Sequence, residues 1–263
     1  MKKTFLVLFA AFMVSTGGFA QFSKLNILNH LAVGLDVGTT GVGGDLAVPV
    51  TKFVELEGGF SIMPKIKYNT NVHLNYSAYD GESLKIDDVP VQGKLTMVNG
   101  KVLINVFPIP TTGFHITVGA YFGRTNVMEL YNRIDGQLAA VNTANKAIDE
   151  YNQINGTNFE NIGVKLGDYL LTPDENGNVK ATLNTKKFKP YVGLGFGHAI
   201  PKRRVNFKFD LGAMFWGTPE VVDHNGFSLS KHDWNGKDGG AFRIINKIKV
   251  YPVLNFRIAG RIF

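Results

Sequence analysis

Residues 250–263 read Val-Tyr-Pro-Val-Leu-Asn-Phe-Arg-Ile-Ala-Gly-Arg-Ile-Phe. Apolar side chains alternate here with polar or small ones, which places the two kinds on opposite faces of a β-strand. One face is apolar, and the other carries Arg257 and Arg261. Such a strand fits a barrel wall that separates lipid from a polar interior. The stretch therefore predicts a transmembrane β-strand.

The same alternation occurs in seven earlier segments of the 263-residue chain. Their length, about nine to twelve residues, is what a tilted strand needs to cross a bilayer. Together the segments predict an all-β fold, an eight-stranded antiparallel up-and-down transmembrane barrel. The predicted strands are 31–38, 42–50, 54–62, 98–106, 114–122, 188–197, 204–215 and 250–263.

The start of the chain has the composition of a secretory signal peptide. Two lysines precede an apolar segment at 5–14, and Gly18-Phe19-Ala20 supplies a small-residue cleavage site. The apolar segment is too short to span a bilayer as a helix. We therefore predict a signal peptide over 1–20 and an outer-membrane barrel domain over 21–263. Cleavage would remove the two lysines and lower the net charge from +7 to +5.

Composition excludes several classes of protein. The chain has no Cys, so a disulfide framework and thiol chemistry are excluded. The mature part has no run near the roughly twenty apolar residues of a transmembrane helix, so it could enter a membrane only as a closed barrel. Its basic residues do not form the stripe typical of a nucleic-acid binder, and no nucleic-acid partner is expected. A soluble periplasmic sandwich is the alternative fold.

The connections between predicted strands differ in length and indicate an orientation. Outer-membrane barrels have short periplasmic turns and long external loops, so both termini are predicted on the periplasmic side. The short connections are 50–52, 108–112 and 201–203, and the long, polar ones are 64–90, 124–186 and 218–245.

The loop at 124–186 is predicted to have structure of its own. Apolar residues at helical spacing predict a short amphipathic helix between about 132 and 153. Asp174-Glu-Asn-Gly is a hairpin signal between 168–171 and 179–183. This hairpin is expected to extend the fifth and sixth strands beyond the membrane surface.

At the level of these strands, the chain resembles the small outer-membrane β-barrel proteins of Gram-negative bacteria, the OmpA, OmpX and OmpW type of architecture, within a largely uncharacterised subgroup. The resemblance covers roughly residues 30–263 and implies architecture only, with no catalytic residues and no cofactors. Such barrels usually end in Phe, with apolar residues at every second position before it. In this chain Phe263 shares a face with Arg257 and Arg261 and not with the apolar residues. The matching stretches are Lys189-Pro-Tyr-Val-Gly-Leu-Gly-Phe-Gly, Phe209-Asp-Leu-Gly-Ala-Met-Phe-Trp-Gly and Tyr251-Pro-Val-Leu.

The inward face of the predicted barrel carries as many acids as bases. An eight-stranded wall leaves an interior just wide enough for side chains to fill, so buried charges there must pair. We predict a salt-bridged plug, with a narrow water-filled pore as the alternative. The predicted charge network is Asp36, Asp45, Glu55, Glu57, Lys101, Arg204, Lys208, Asp210, Arg257 and Arg261.

Catalysis, cofactor binding and metal binding are not predicted. Glu55 and Glu57 share a strand face, but their expected neighbours are arginines and not a substrate cleft. The glycines at 193, 195 and 197 lie within an alternating strand and not at the strand-to-helix turn of a phosphate-binding loop. The loop at 218–245 is crowded with Asp and His, including Asp223, His224, His232, Asp233 and Asp238, as a hydrated loop usually is.

The sequence therefore predicts an integral protein of the outer membrane that acts through its external loops. Its expected partners are outer-membrane lipid and lipopolysaccharide, the barrel-assembly machinery, and an extracellular ligand or surface. Two alternatives stay open: a narrow channel or transporter for small solutes, and a lipid-modifying enzyme at the outer rim.

Overall fold

The computed structural model describes residues 29–75, 88–166, 169–224, 228 and 249–262. The predicted signal peptide and Phe263 lie outside these residues. In chain order, the elements are β1 (Ala32–Gly38), β2 (Gly41–Thr51), β3 (Val54–Ile62), β4 (Ile66–Asn75), β5 (Asp88–Leu95), β6 (Val98–Val106), β7 (Phe114–Gly123), β8 (Asn126–Asn132), α1 (Ala139–Asn155), β9 (Gly163–Leu166), β10 (Tyr169–Leu171), β11 (Lys180–Asn184), β12 (Phe188–Phe196), β13 (Val205–Phe215), β14 (Glu220–Val222) and β15 (Val250–Arg261).

Eight strands close into an antiparallel barrel in the order β1, β2, β3, β6, β7, β12, β13 and β15. The barrel closes where β15 pairs with β1, from Ala32 opposite Arg261 to Gly38 opposite Asn255. The predicted all-β, eight-stranded fold is confirmed. The eight predicted segments agree with the observed strands to within two residues at each end.

The two faces of the barrel wall have opposite polarity. In β13, the outward Phe207 and Leu211 are exposed, whereas the inward Lys208 and Asp210 are buried. The outward positions of all eight barrel strands carry apolar residues, Gly or Pro, and none carries a charge. A wall of this kind is stable when hydrocarbon covers its outside.

The long connections form a second sheet beyond the barrel rim. Its seven strands run in the order β10, β9, β4, β5, β8, β11, β14. In sequence, β4 follows β3, β5 precedes β6, β8 follows β7, β11 precedes β12, and β14 follows β13. Because these five strands pair in the same order as the barrel strands they adjoin, the barrel wall continues upward on one side. On the other side, β15, β1 and β2 end at the rim.

We call residues 63–75, 88–97, 124–166, 169–187 and 216–224 the extension, and the opposite end of the barrel, with its short connections, the turn end. The segments that were predicted to be loops therefore contain strands of this second sheet and a helix. The fifth and sixth predicted strands, which are β7 and β12 in the structure, were expected to extend beyond the membrane surface. This extension is present, because β8 pairs with β11 just beyond the paired β7 and β12.

The predicted hairpin between 168–171 and 179–183 is wrong in its pairing. The turn at Asp174 forms, with the Gly177 amide donating to the Asp174 carbonyl at 2.9 Å. However, β11 is paired on one side with β8 and on the other with β14, and β10 pairs with β9. Both edges of β11 are therefore already used.

The predicted helix is present but shifted. It begins at Ala139 and not near 132, because Asn126–Asn132 continues the sheet as β8. It ends at Asn155 and is capped by Gly156, whose positive φ of 65° suits a residue without a Cβ. Its buried face consists of Val141, Asn145 and Ile148.

One apolar cluster joins the two parts of the molecule. It starts inside the barrel, with Leu103, Tyr121 and Met214, and continues into the extension to Leu138 and Val141. All of these side chains are buried. The extension is therefore a packed body whose core merges with the upper barrel interior.

Candidate functional site

The barrel interior contains a cluster of paired charges centred on Asp45. The Arg257 Nε donates to both carboxylate oxygens of Asp45, at 2.8 and 2.9 Å. The Lys101 ammonium lies 3.1 Å from Asp45, 3.1 Å from Asp36 and 3.3 Å from Glu57. One lysine thus links three carboxylates contributed by β1, β2 and β3.

A second lysine extends the cluster across the barrel. The Lys208 ammonium lies 2.8 Å from Glu57 and 3.0 Å from Asp210. Asp210 in turn accepts a hydrogen bond from His115 Nε2 at 2.8 Å. The remaining ring nitrogen, Nδ1, lies 3.2 Å from the carbonyl oxygen of Gly113.

Both ring nitrogens of His115 face oxygen atoms, Nε2 that of the Asp210 carboxylate and Nδ1 that of the Gly113 carbonyl. The cluster thus brings four carboxylates (Asp36, Asp45, Glu57 and Asp210) together with the side chains of Lys101, Lys208, Arg257 and His115.

Glycines on neighbouring strands make room for these large side chains. A Cβ at Gly34 would overlap the Arg257 guanidinium. A Cβ at Gly195 would overlap His115 Nε2 and lie 2.7 Å from Asp210 Oδ1. This explains the glycine run at 193–197 as space for interior packing.

Glu55 lies in a separate contact at the turn end. Its carboxylate accepts the Ala199 amide at 2.7 Å and lies 3.2 Å from His198 Nδ1. The Phe107 ring stacks on His198 with centroids 4.4 Å apart. Arg257 Nη1 donates to the Ala199 carbonyl at 2.6 Å, so charged side chains hold both backbone groups of that residue. The connection between β12 and β13 is thereby bound inside the barrel.

Of the ten residues predicted to form the interior network, the structure buries eight and leaves two outside it. Arg204 and Arg261 are exposed at the turn end. They were predicted to face inward because Arg204 alternates in phase with Lys208, and Arg261 alternates in phase with Arg257. The interior at their level is instead filled by Ala32, Ala47, Ala199 and Ile200, which form a small apolar cluster. The two arginines therefore lie beyond the last interior layer.

Several interior residues are missing from the predicted network. His115 and Lys189 both occupy inward positions, so strand alternation alone could have found them. Asn105 donates to Glu57 at 3.4 Å, and Thr117 donates to Asn105 at 2.8 Å. His198 follows the end of β12, where alternation no longer indicates a direction.

Lys189 differs from the other interior cations. It is fully buried, and its ammonium donates to Asn99 Oδ1 at 3.2 Å and to the Arg124 carbonyl at 3.3 Å. No carboxylate among the described residues lies within ion-pair distance of it. Lys189 is near the rim, in the layer where the charged interior gives way to the apolar cluster.

No metal site is formed by the residues that the structure describes. No three of their His, Asp and Glu side chains could hold a metal ion together. Of the crowded loop, His232, Asp233 and Asp238 lie outside the described residues. Glu55 and Glu57 are both buried in the contacts given above. No helix in the described part is long and apolar enough to cross a membrane.

The charged interior and the uncharged apolar outside together define the class of protein. The architecture is that of a small outer-membrane β-barrel. No family model matches the sequence, and no curated protein matches it.

Three solved structures are similar to this chain over most of its length. The crystal structure of CarO2 from Acinetobacter baumannii is 16% identical, with a TM-score of 0.47, over 89% of this chain and 99% of that one. The crystal structure of CarO from Acinetobacter baumannii is 16% identical, with a TM-score of 0.46, over 87% of this chain and 96% of that one. A major outer membrane protein from Thermus thermophilus is 17% identical, with a TM-score of 0.30, over 88% of this chain and 98% of that one.

Proposed function

We propose that the protein is an integral outer-membrane barrel with a closed interior, which presents the extension on the cell surface as a rigid binding module. The observation that carries this proposal is the continuation of five barrel strands into a second sheet with its own buried core. A flexible loop would have to be ordered on binding, at a cost in conformational entropy. A packed extension has already lost that entropy.

The filled interior supports a closed barrel. Arg257, Lys101 and Lys208 bridge the lumen through their carboxylate partners, and the β12–β13 connection is held inside the turn end. Above them, Tyr121 and Tyr191 pack edge to face, with ring centroids 5.5 Å apart. A solute would have to displace both the paired charges and the apolar layer.

The orientation follows from the lengths of the connections. The extension belongs to the three long connections, which face outward in outer-membrane barrels. The cleaved signal peptide over 1–20 and insertion by the barrel-assembly machinery belong to the same proposal. So does contact of the outer wall with phospholipid and lipopolysaccharide.

The candidate binding face is at the far end of α1. Tyr151, Ile154 and Phe159 are exposed there, although they are large and apolar, and Tyr151 and Phe159 pack with ring centroids 5.8 Å apart. Exposed apolar patches often mark interaction sites. Replacing Ile154 and Phe159 with Ser should abolish adhesion of cells that display the protein to a host matrix or partner cell. The matched control is Thr143→Ala, an exposed position about three turns before Ile154 on the same helix.

The adhesion test separates binding from folding. Both variants should retain the heat-modified electrophoretic mobility of a folded barrel. Equal adhesion by the Ile154 and Phe159 double variant and the unchanged protein would contradict this face as the binding site.

A narrow channel is the second candidate, and one observation favours it. Asp36 Oδ2, Ser61 Oγ, Asn99 Nδ2 and Asn255 Oδ1 are buried and have no hydrogen-bond partner among the described residues. Water in the lumen would satisfy these atoms. Planar-bilayer recording of the purified chain decides between the two candidates: silence supports the closed barrel, and discrete conductance steps support the channel.

A further inference from the structure

The outer surface has a groove on the wall formed by β12, β13, β15 and β1. Its volume is about 520 Å³, and its apolar lining includes Leu35, Phe196, Phe207, Phe209, Phe256 and Ile258. Ligand clefts usually have volumes of roughly 300–1,000 Å³. Since this groove lies on the lipid-facing side of the wall, hydrocarbon chains are the molecules that reach it.

A basic cluster lies at the turn end of the strands that form the groove. It consists of Lys202, Arg203, Arg204 and Arg261, all of which are exposed. The two arginines Arg204 and Arg261 are adjacent, because the Arg261 amide donates to the Arg204 carbonyl at 3.1 Å. Phe207 is three residues along the chain from Arg204, a distance of about 10 Å along an extended strand.

The positive charge of this cluster is uncompensated within the described part of the protein. None of the four side chains forms an ion pair with a carboxylate of the described residues. Glu55 is an acid at the turn end, but it is buried against His198 and the Ala199 amide. At the turn end, the described part of the chain exposes no carboxylate at all, while Lys52 adds a further cation.

We propose that the groove and the basic cluster form one binding site for a phospholipid with an anionic headgroup, taken from the periplasmic leaflet. One acyl chain lies against the phenylalanines, and the headgroup phosphate lies between the arginines. Guanidinium groups bind phosphate oxygens through paired hydrogen bonds, and long basic side chains reach from the apolar region to the headgroups. The site needs the barrel to span the membrane, but it is independent of any binding by the extension.

The chemistry of the ligand follows from the two halves of the site. A zwitterionic lipid would fill the groove but would bring a positive headgroup charge to the arginines. A lipid without phosphate would fill the groove and leave the arginines unpaired. Each basic residue near an anionic lipid surface contributes about 1 kcal/mol, which is about five-fold in affinity.

The test is native mass spectrometry of the full chain in detergent, titrated separately with phosphatidylglycerol, phosphatidylethanolamine and diacylglycerol. The expected result is one tightly retained phosphatidylglycerol, with weaker retention of the other two lipids. Arg204→Gln combined with Arg261→Gln should lower phosphatidylglycerol affinity about five-fold for each arginine removed. Lys249→Gln, an exposed lysine before β15 at the extension end, is the matched charge control and should leave affinity unchanged.

The groove has its own matched pair of variants. Phe207→Ala should weaken phosphatidylglycerol and diacylglycerol alike. Phe60→Ala, which removes an equally lipid-facing ring from β3, should weaken neither. Equal retention of phosphatidylglycerol and phosphatidylethanolamine would overturn the proposal, as would wild-type affinity in the double arginine variant or an equal loss in Lys249→Gln. Failure of the chain to float with liposomes would instead overturn the membrane barrel itself.

Discussion

The barrel and the extension share one continuous wall, yet their interiors are built on opposite principles. The barrel interior is held by buried ion pairs around Asp45 and Glu57, while its outside is apolar. The extension interior is apolar, and its outside carries pairs such as Lys94 with Glu129. The difference follows from the solvent, because hydrocarbon favours an apolar outside and water favours a polar one.

The reversal is visible along a single stretch of chain. Inward residues of β5 and β6 keep the same alternation, but Val89 and Val91 give way to Asn99 and Lys101. Outward residues change in the opposite sense, from Lys94 to the exposed apolar Val98. The polarity of the two faces therefore reverses close to residue 97, at the base of the extension.

The largest expected effect comes from breaking the charged interior. Arg257→Ala would leave Asp45 without its two-point contact and the Ala199 carbonyl without its donor. Removing one partner of a buried pair costs about 3–5 kcal/mol. The folded band in heat-modified electrophoresis should be lost at a clearly lower temperature.

The matched control for Arg257→Ala is Arg261→Ala on the same strand. Arg261 is exposed, so this change should alter stability by about 0.5 kcal/mol or less. Similar losses in both variants would mean that the charged interior reaches the turn end after all.

The apolar interior should fail in a different way. Leu138 is fully buried at the start of α1, and Leu138→Ala should cost about 2–5 kcal/mol. Hydrogen exchange should become faster in the extension while the barrel strands stay protected. The control is Ile154→Ala, since that side chain is 82% exposed. Faster exchange throughout the barrel would show that the two interiors unfold as one unit.

A smaller effect is expected from the polar contact that fixes α1 to the extension. The Asn145 side chain accepts a hydrogen bond from the Ile162 backbone amide at 2.7 Å and donates one to the Ile162 carbonyl at 2.8 Å. Asn145→Leu would leave two buried backbone groups unpaired, at a cost of about 1–3 kcal/mol. Asn155→Ala, at the exposed end of the same helix, is the control. Urea unfolding followed by far-ultraviolet circular dichroism would measure both.

The smallest effect is expected on the outside of the extension. Partial burial raises the pKa of Glu129. Hydrogen bonds from Lys94 and Asn126, together with the positive charge of Lys94, lower it by more, so the pKa of Glu129 lies below its ordinary value. The stabilisation is therefore present above the pKa of the unfolded chain and is lost as the pH falls through the folded value. Glu129→Gln should cost about 0.2–1 kcal/mol near neutral pH, and nothing once the pH is well below both values. A constant difference across this range would contradict the assignment.

The barrel could be predicted from the sequence because lipid and lumen impose a strict two-residue period. The strands of the extension were harder to predict because water tolerates irregular outward residues, so Pro90 and Asn71 interrupt an alternation that Val89, Val91 and Leu74 do carry. Eight of the predicted inward charges are buried, and the two that are exposed lie at the turn end. Alternation alone placed Arg204 and Arg261 inside, although the folded β12–β13 connection already occupies that layer.

The position of Arg257 has a consequence for how the barrel is assembled. It lies on β15, which completes the ring, whereas its partner Asp45 and the nearby Asp36 lie on β2 and β1, on the far side of the closing pair of strands. A sheet whose first and last strands have not met therefore leaves Asp45 without Arg257, with Lys101 on β6 as the shared counter-charge of Asp36, Asp45 and Glu57. The pair between Arg257 and Asp45 can form only when the ring closes, so a seam in the wrong register would leave Asp45 without this partner and would be less stable.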